Sequence, residues 1–343
     1  MGPNVLRMQL DIAFPGLAHV NCYAIVDEDG IALVDPGLPG KPSWDSLLTR
    51  FKAADLDLKR VHSIFITHSH PDHFGNAERI AEMTGAAVIT HRSFRTSEID
   101  HQCNVGDCDD PDHPHPDQGQ EPLPAHMYAV RDRPAPWSGE EWNPGKDMAI
   151  KHETFELAEK GWPLPTPDRR VRNNDELKLG GRLWKMVHTP GHTVDHLCLF
   201  EPESGVFMSG DHVLPTITPH ISGIGAGPDP LTSFFASLDN VGSLPNVTVT
   251  LPAHGHPFGG LAERCEDIKE HHRGRTERLV EASLAEGPAT VAALSHHLFR
   301  EERWGAMAES ETYAHLEHLR LLGKAEMKMD DAGRMIFVVH EAI

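Results

Sequence analysis

Cysteine is scarce, five in 343 residues, so no disulfide framework holds this chain and a reducing cytoplasm is the expected compartment. No stretch approaches the roughly 18 to 20 apolar residues that span a bilayer, so no membrane-spanning helix and no membrane partner are expected. The opening MGPNVLRMQLDIAFPG has no basic segment followed by an apolar one, so no export signal is expected either. Positive charge is in deficit: 31 Lys and Arg stand against 51 Asp and Glu, a formal net charge of −20. The average field therefore repels polyanions such as DNA or RNA, unless a local basic patch overrides it, and the acidic excess also serves solubility. What is plentiful is histidine, 25 copies, and proline, 27. With 39% hydrophobic and 24% charged residues, the composition is that of a globular protein, long enough for more than one domain.

Residues 17–38, LAHVNCYAIVDEDGIALVDPGL, place the turn signal DEDG between two apolar runs and predict a β-hairpin. VHSIFITH is a β-branched run read as a buried strand, GNAERIAEMTG has helical spacing with a terminal glycine, and AAVITH returns to strand. From about 95 to 170 the character changes, with 11 of the 27 prolines falling between Pro111 and Pro167. Such a stretch is not regular helix or sheet throughout. It also holds Trp137, Trp142, Trp162 and Tyr128, too aromatic for a plain linker, and reads as an insertion that wraps over something, a lid or a dimer arm. Regular structure resumes with a hairpin at DELKLGGRLWKMVHTPGH and another at HLCLFEPESGVFMSGDH. A helix follows from Asp229-Pro230 to about Leu244, then a strand at NVTVTLPAHG. After residue 260 come three helices, the last at ETYAHLEHLRLLGK, and two short strands joined by DDAGR, the layout of a winged helix. The expected division is a domain at 1–260 carrying the insertion and a second at 261–343.

Histidines and carboxylates collect just past apolar strands. ITHSHPDHFGN sets His68, His70, Asp72 and His73 within six positions. LVDPGL carries Asp35, HTPGHTVDH carries His188, His192 and His196, MSGDHVL carries Asp211 and His212, and LPAHGHP carries His254 and His256. Turns at strand ends are where a rigid scaffold holds ligands. His68 and His70, two apart on an extended or turn segment, can reach one ion, and Asp72 and His73, past the bend, are available to a second. Imidazoles with a few carboxylates suit zinc, iron or manganese, and the lack of thiolates fits catalysis better than a structural zinc cluster. Any one H-x-H is weak evidence, but H-x-H-x-D-H followed by separate G-H, G-D and H-G turns is strong.

In the order Asp35, THSHPDH, TPGHT, GDH and PAHG, the sequence resembles the metallo-β-lactamase-fold hydrolase superfamily over about residues 10–260, apart from the insertion. SGDHVLPTITPHI and the winged-helix-like tail resemble the lactamase-β-2-like branch. The resemblance implies an α/β fold, a four-layer αβ/βα sandwich with two metals at one edge and a C-terminal winged-helix domain. It assigns one metal to His68, His70 and His192 and the other to Asp72, His73 and His254, with Asp211 bridging them. Asp35 would brace ligands rather than bind metal, and His196 is read the same way. His188 is read as structural, His212 and His220 as substrate contacts, and His62 and His91 as strand-end residues without chemistry. His101, Cys103, Cys108, His113 and His115 in the insertion read as part of a solvated acidic loop rather than a third metal site.

These readings imply a hydrolase with two divalent metals, zinc first and iron or manganese as alternatives, using a bridging hydroxide. Asp72 and Asp211 are the candidate catalytic residues. The favoured small-molecule substrate is a thioester or related carboxylic ester. An endoribonuclease or phosphodiesterase, a lactonase and a β-lactamase are the alternatives. The full ligand set argues against a mononuclear iron sulfur-oxidising member, and the lack of a flavin domain against a di-iron reductase. A winged-helix nucleic-acid-binding regulator is the non-enzyme alternative. Residues 261–343 hold 11 Lys and Arg against 16 Asp and Glu, so nucleic acid is not expected as a partner, and the tail is read as packing on the catalytic domain or forming a homodimer surface.

Overall fold

The computed structural model describes residues 4–14, 17–94, 135–140 and 165–340. Most of the proline-rich insertion and all of its Cys/His cluster lie outside the described residues. The chain forms two compact units, one of described residues 4–94, 165–220 and 232–273, the other of 135–140, 221–231 and 274–340. Among the described residues no helix is long and apolar enough to cross a membrane.

In the first unit a six-stranded sheet runs in order β1 (Val5–Phe14), β2 (Leu17–Val26), β3 (Ile31–Val34), β4 (Val61–Phe65), β5 (Ala87–His91) and β6 (Arg169–Val171). The β1–β2 and β2–β3 pairs are antiparallel, and β3 through β6 are parallel. The β2–β3 hairpin forms where the DEDG turn predicts it, with Gly30 N–H donating to Asp27 Oδ1. Strand β1 and helix α1 (Lys41–Ala53) were not assigned from the sequence. Helix α1 buries Trp44, Leu47 and Phe51, spaced to share one face. Helix α2 (Pro71–Phe74) is a single turn, and α3 (Ala77–Thr84) stops at Gly85, whose φ of 76° a residue with a Cβ rarely adopts.

A five-stranded sheet has the order β11 (Val249–Pro252), β10 (Val206–Gly210), β9 (Leu197–Glu201), β8 (Arg182–His188) and β7 (Glu176–Leu179). Alternation along the strands builds the layers. Cys22 and Ala24 join the core under α1 and α3, while Tyr23 and Ile25 join a second core with Phe65, Trp184, Leu199 and Met208 between the sheets. Strand β9 is buried throughout, as a strand covered on both faces must be. Helix α4 (Pro230–Gly242) and the first half of α5 (Leu261–Glu286) supply the fourth layer, with Phe234 of α4 edge-on to His212 and His272. The result is a mixed α/β sandwich of helices, sheet, sheet and helices.

Strand direction positions the candidate site. Asp35 follows β3 and the His68–His73 cluster follows β4, and these strands are parallel. His192, Asp211 and His254 follow β8, β10 and β11. Strand β8 is antiparallel to β9, β9 to β10, and β10 parallel to β11, so those three strands also end on one edge. The two edges are pinned together: Leu197 N–H donates to Thr67 O at 2.8 Å, and the Tyr23 hydroxyl donates to Pro252 O at 2.7 Å.

The second unit contains the rest of α5, then α6 (Val291–Leu298), α7 (Ala306–Leu321) and a three-stranded sheet in order β12 (Ala289–Thr290), β14 (Met335–Val339), β13 (Ala325–Met329). Thr290 caps α6 through Ala293 N–H. Helix α7 begins five residues before the start read from ETYAHLEHLRLLGK.

Gly191 gives a direct test of this packing. Its φ is +134°, and a Cβ there would lie 2.5 Å from Phe234 Cα. Gly191→Ala is expected to destabilise the protein by about 1–3 kcal/mol, read as a lower denaturant midpoint at unchanged slope.

Candidate metal centre

The structure brings all seven candidate ligands into two adjoining groups. His68, His70, His192 and Asp211 offer one cluster of ligand atoms, and Asp72, His73 and His254 the other; within each, the atoms lie within 4.8 Å of one another. Asp211 stands between the groups: Oδ2 is 3.6 Å from both His192 Nε2 and His73 Nε2, and Oδ1 is 3.3 Å from His254 Nε2. Asp72 Oδ2 is 3.5 Å from His254 Nε2 and 3.6 Å from His73 Nε2.

Hydrogen bonds to the outer ring nitrogens of His68, His73, His192 and His254 fix which face of each looks inward. His192 Nδ1–H donates to His220 O at 2.7 Å, and His254 Nδ1–H to His19 O at 2.8 Å. A carbonyl only accepts, so in a neutral ring each Nε2 carries a lone pair toward the centre. His73 Nδ1–H donates to Asp35 Oδ2 at 2.8 Å. The Thr67 hydroxyl donates to that same oxygen at 2.8 Å, which leaves its own oxygen to accept from His68 Nδ1 at 3.0 Å. Asp35, with φ at 55°, thereby braces two ligands of different groups, directly and through Thr67.

The residues fit metal ions on chemical grounds. His70 Nδ1 lies 2.9 Å from His68 Nε2 and 3.0 Å from His192 Nε2. One ring proton cannot satisfy both contacts, whereas a cation among the three nitrogens satisfies all of them. His73 Nε2, His254 Nε2 and Asp211 Oδ1 are buried without a hydrogen-bond partner.

The protonation preferences of the two groups diverge. Burial, with the neighbouring imidazoles, holds His68 well below the usual histidine range, and burial with His192 pushes His70 down to about 3. Burial also lowers His192, against the pull of Asp211. His73 and His254 go the other way. Burial lowers each, but Asp72, Asp35 and Asp211 outweigh it at His73, which rises well above the usual range, and Asp211 with Asp72 raises His254 to about 10. Burial opposes ionisation of both carboxylates, yet His73 and His254 bring Asp72 below the usual range and Asp211 well below it.

The other histidines divide by surroundings. His196 Nε2 accepts from Asp211 N–H at 3.1 Å and its Nδ1 meets Thr189 Oγ1 at 2.7 Å, so it steadies the backbone of Asp211. His188 Nε2 donates to Val194 O at 2.8 Å and its ring stacks on His91. His212 is fully buried behind His196 and edge-on to Phe234, a packed position rather than an open one. His220 is half-buried, and its carbonyl serves His192. Sequence reading missed the carbonyls of His19 and His220, the Thr67 hydroxyl and the Asn21 amide, which donates to Pro252 O and Gly255 O and fastens the loop carrying His254. The carbonyls leave no signal in residue type; Thr67, next to the cluster, was the one within reach.

A family model for the metallo-beta-lactamase superfamily matches residues 15–102 and 110–254. The probable metallo-hydrolase YqjP of Bacillus subtilis is 24% identical over 302 residues, 86% of each chain. A metallo-beta-lactamase family protein from Thermus thermophilus superposes with a TM-score of 0.76 at 26% identity, covering 99% of both chains. A beta-lactamase domain protein from Burkholderia ambifaria does so at 0.72 and 25%, covering 98% of this chain and 93% of that one.

The carboxylates beside His73 and His254 favour their charged forms, so a cation entering their group competes with protons. Metal uptake near pH 7 is expected to release protons, and affinity to rise with pH. Calorimetry in buffers of different ionisation enthalpy measures the release; uptake without proton release contradicts the assignment. Asp35→Ala should weaken metal affinity about 10- to 100-fold, read by chelator competition.

Proposed function

The chain belongs to the metallo-beta-lactamase superfamily, and we propose that it is a dinuclear metal-dependent hydrolase acting on a thioester or related carboxylic ester. The observation that carries this reading is the pair of adjoining ligand groups with Asp211 between them. Two divalent ions, zinc in preference to iron or manganese, would supply Lewis acidity and a water activated near neutral pH. His68, His70 and His192 would hold one ion and Asp72, His73 and His254 the other, with Asp211 shared. The outer hydrogen bonds keep the ligand nitrogens facing inward, so little reorganisation is needed during reaction. The Asp72 carboxylate would take the proton released as water adds to the carbonyl and pass it to the leaving group. The net charge of −20 favours a compact organic substrate over a polyanion.

The test pairs elemental analysis with hydrolysis of an acyl-glutathione, an acyl-CoA, a lactone, a β-lactam and a single-stranded RNA. The expected result is two ions per chain and chelator-sensitive turnover of a thioester, reduced about 100-fold or more by Asp211→Asn. Turnover that survives chelation and this substitution overturns the mechanism. Preferential turnover of the lactone, the β-lactam or the RNA moves the assignment to that bond.

We also propose that the second unit, winged-helix-like in layout, does not read nucleic acid. A recognition helix needs an open face with clustered basic side chains. Helix α7 buries nine of its residues, Ser310, Tyr313 and Leu316 among them. Gly223 N–H donates to Ser310 O at 3.2 Å, Asp229 meets His318 at 3.1 Å, and Trp137 Nε1–H donates to Glu309 at 2.7 Å, so neighbouring segments of the same unit cover the helix. A gel shift with duplex DNA at moderate salt is expected to show no retarded band, and tight, salt-sensitive binding would revive the regulator reading.

A further inference from the structure

We propose that Asp195 is a positioning residue of the metal centre, gripping the ligand His68 by way of Ser69; the inference rests on the function proposed above. Asp195 is 1% exposed, and its Oδ1 accepts from Ser69 Oγ at 3.1 Å. Ser69 lies between the two ligands His68 and His70, while Asp195 belongs to the segment that supplies His192. Two residues on, Leu197 N–H donates to Thr67 O at 2.8 Å. The two cross-links bracket His68, one on each side of it in the chain. His196, the residue between Asp195 and Leu197, sets its ring 5.0 Å from that of His68. Together they tie the segment carrying His68 and His70 to the one carrying His192, the three imidazoles that share one ion.

A structural ion pair does not account for Asp195. Two other buried carboxylates, Glu201 and Glu311, face Arg182 and Arg275. Among the described residues no Lys, Arg or His stands within ion-pair distance of Asp195; only the Ser69 and Thr193 hydroxyls and the backbone of Ser69 and Asp195 favour its charge, and its Oδ2 has no hydrogen bond of good geometry. A buried carboxylate with neither counter-ion nor full hydrogen bonding is costly, and an apolar side chain of similar volume would fill the space at less cost. What an apolar side chain cannot supply is an acceptor for the Ser69 hydroxyl. Without that acceptor the 68–70 segment keeps the Thr67 link on one side of His68 and loses the link on the other. His68 and His70 then move relative to His192, and a ligand set displaced by a few tenths of an ångström holds its ion less well.

The experiment loads wild type, Ser69→Ala, Asp195→Ala, the Ser69→Ala/Asp195→Ala double variant and Asp195→Asn with Co²⁺. It reads bound cobalt per chain, the visible ligand-field absorption and the rate of extraction by a chelator, with circular dichroism confirming the fold. Ser69→Ala and Asp195→Ala are each expected to alter the absorption of one of the two ions and to speed its extraction about tenfold or more. The double variant should be no worse than Asp195→Ala alone, because that substitution already removes the link to Ser69. Asp195→Asn, whose amide oxygen still accepts from Ser69, should stay within about twofold of wild type. Wild-type spectrum and extraction rate in both alanine variants overturn the role of Asp195, as does an asparagine variant impaired as much as the alanine. A folded wild-type chain that takes up no cobalt overturns the metal reading itself, and this inference with it.

Discussion

Asp72 and Asp211 are carboxylates in a buried cluster where, among the described residues, no Lys or Arg comes within ion-pair distance. A charge removed from water costs several kcal/mol unless an opposite charge offsets it. The nearby groups that can offer that offset are His73 and His254, whose preference for the charged form the carboxylates raise. The neighbouring group of His68, His70 and His192 does the reverse, keeping its rings neutral with nitrogens turned on one another. A proton-poor group of imidazoles beside a carboxylate-rich one is an arrangement that a pair of cations completes, and the surrounding structure is organised to hold it.

The fold meets that demand by strand direction. Each ligand follows the carboxyl end of a strand, and within each sheet the strands concerned run the same way, so their loops emerge along one edge. In open α/β sheets the carboxyl ends of parallel strands are the usual place for ligands. Here two sheets contribute one edge each, and hydrogen bonds from Asn21, Tyr23 and Leu197 hold those edges in register. Backbone carbonyls at His19 and His220 finish the alignment by taking the outer protons of His254 and His192. His68, His73, His192 and His254 are each held from behind, by Thr67, Asp35 and the carbonyls of His220 and His19.

The second unit solves a different problem. Its core of Trp137, Leu279, Leu294, Leu316 and Phe337 is apolar, but α7 also buries Glu311, Thr312 and His315. Glu311 pairs with Arg275, its carbonyl accepts from His315 Nδ1 at 2.8 Å, and the Thr312 hydroxyl donates to Ala308 O at 2.8 Å, which gives these polar groups partners inside the helix packing. The helix is therefore a structural spine of its unit, and its acidic residues are spent inward or beside an arginine, as Glu317 is with Arg320.

Much of this was legible in the residues alone. The β2–β3 hairpin, strands β4 and β5, the end of α3 at Gly85 and the two hairpins of the second sheet follow from apolar periodicity and turn chemistry, which act over a few neighbours. The ligand types were legible for the same reason: a histidine or aspartate just past a buried strand stands out in a short window. Strand β1, the early start of α7 and the burial of His212 were not, because each depends on what another element places against it. The sequence by itself determined which side chains stand at the strand ends and what chemistry they offer. Only the tertiary structure decided that two strand edges meet, that His19 O, 235 residues from His254, orients it, and that Asp195 reaches Ser69 across 126 residues. Those contacts are set by the packing of one sheet on the other, and no local stretch of the chain encodes them.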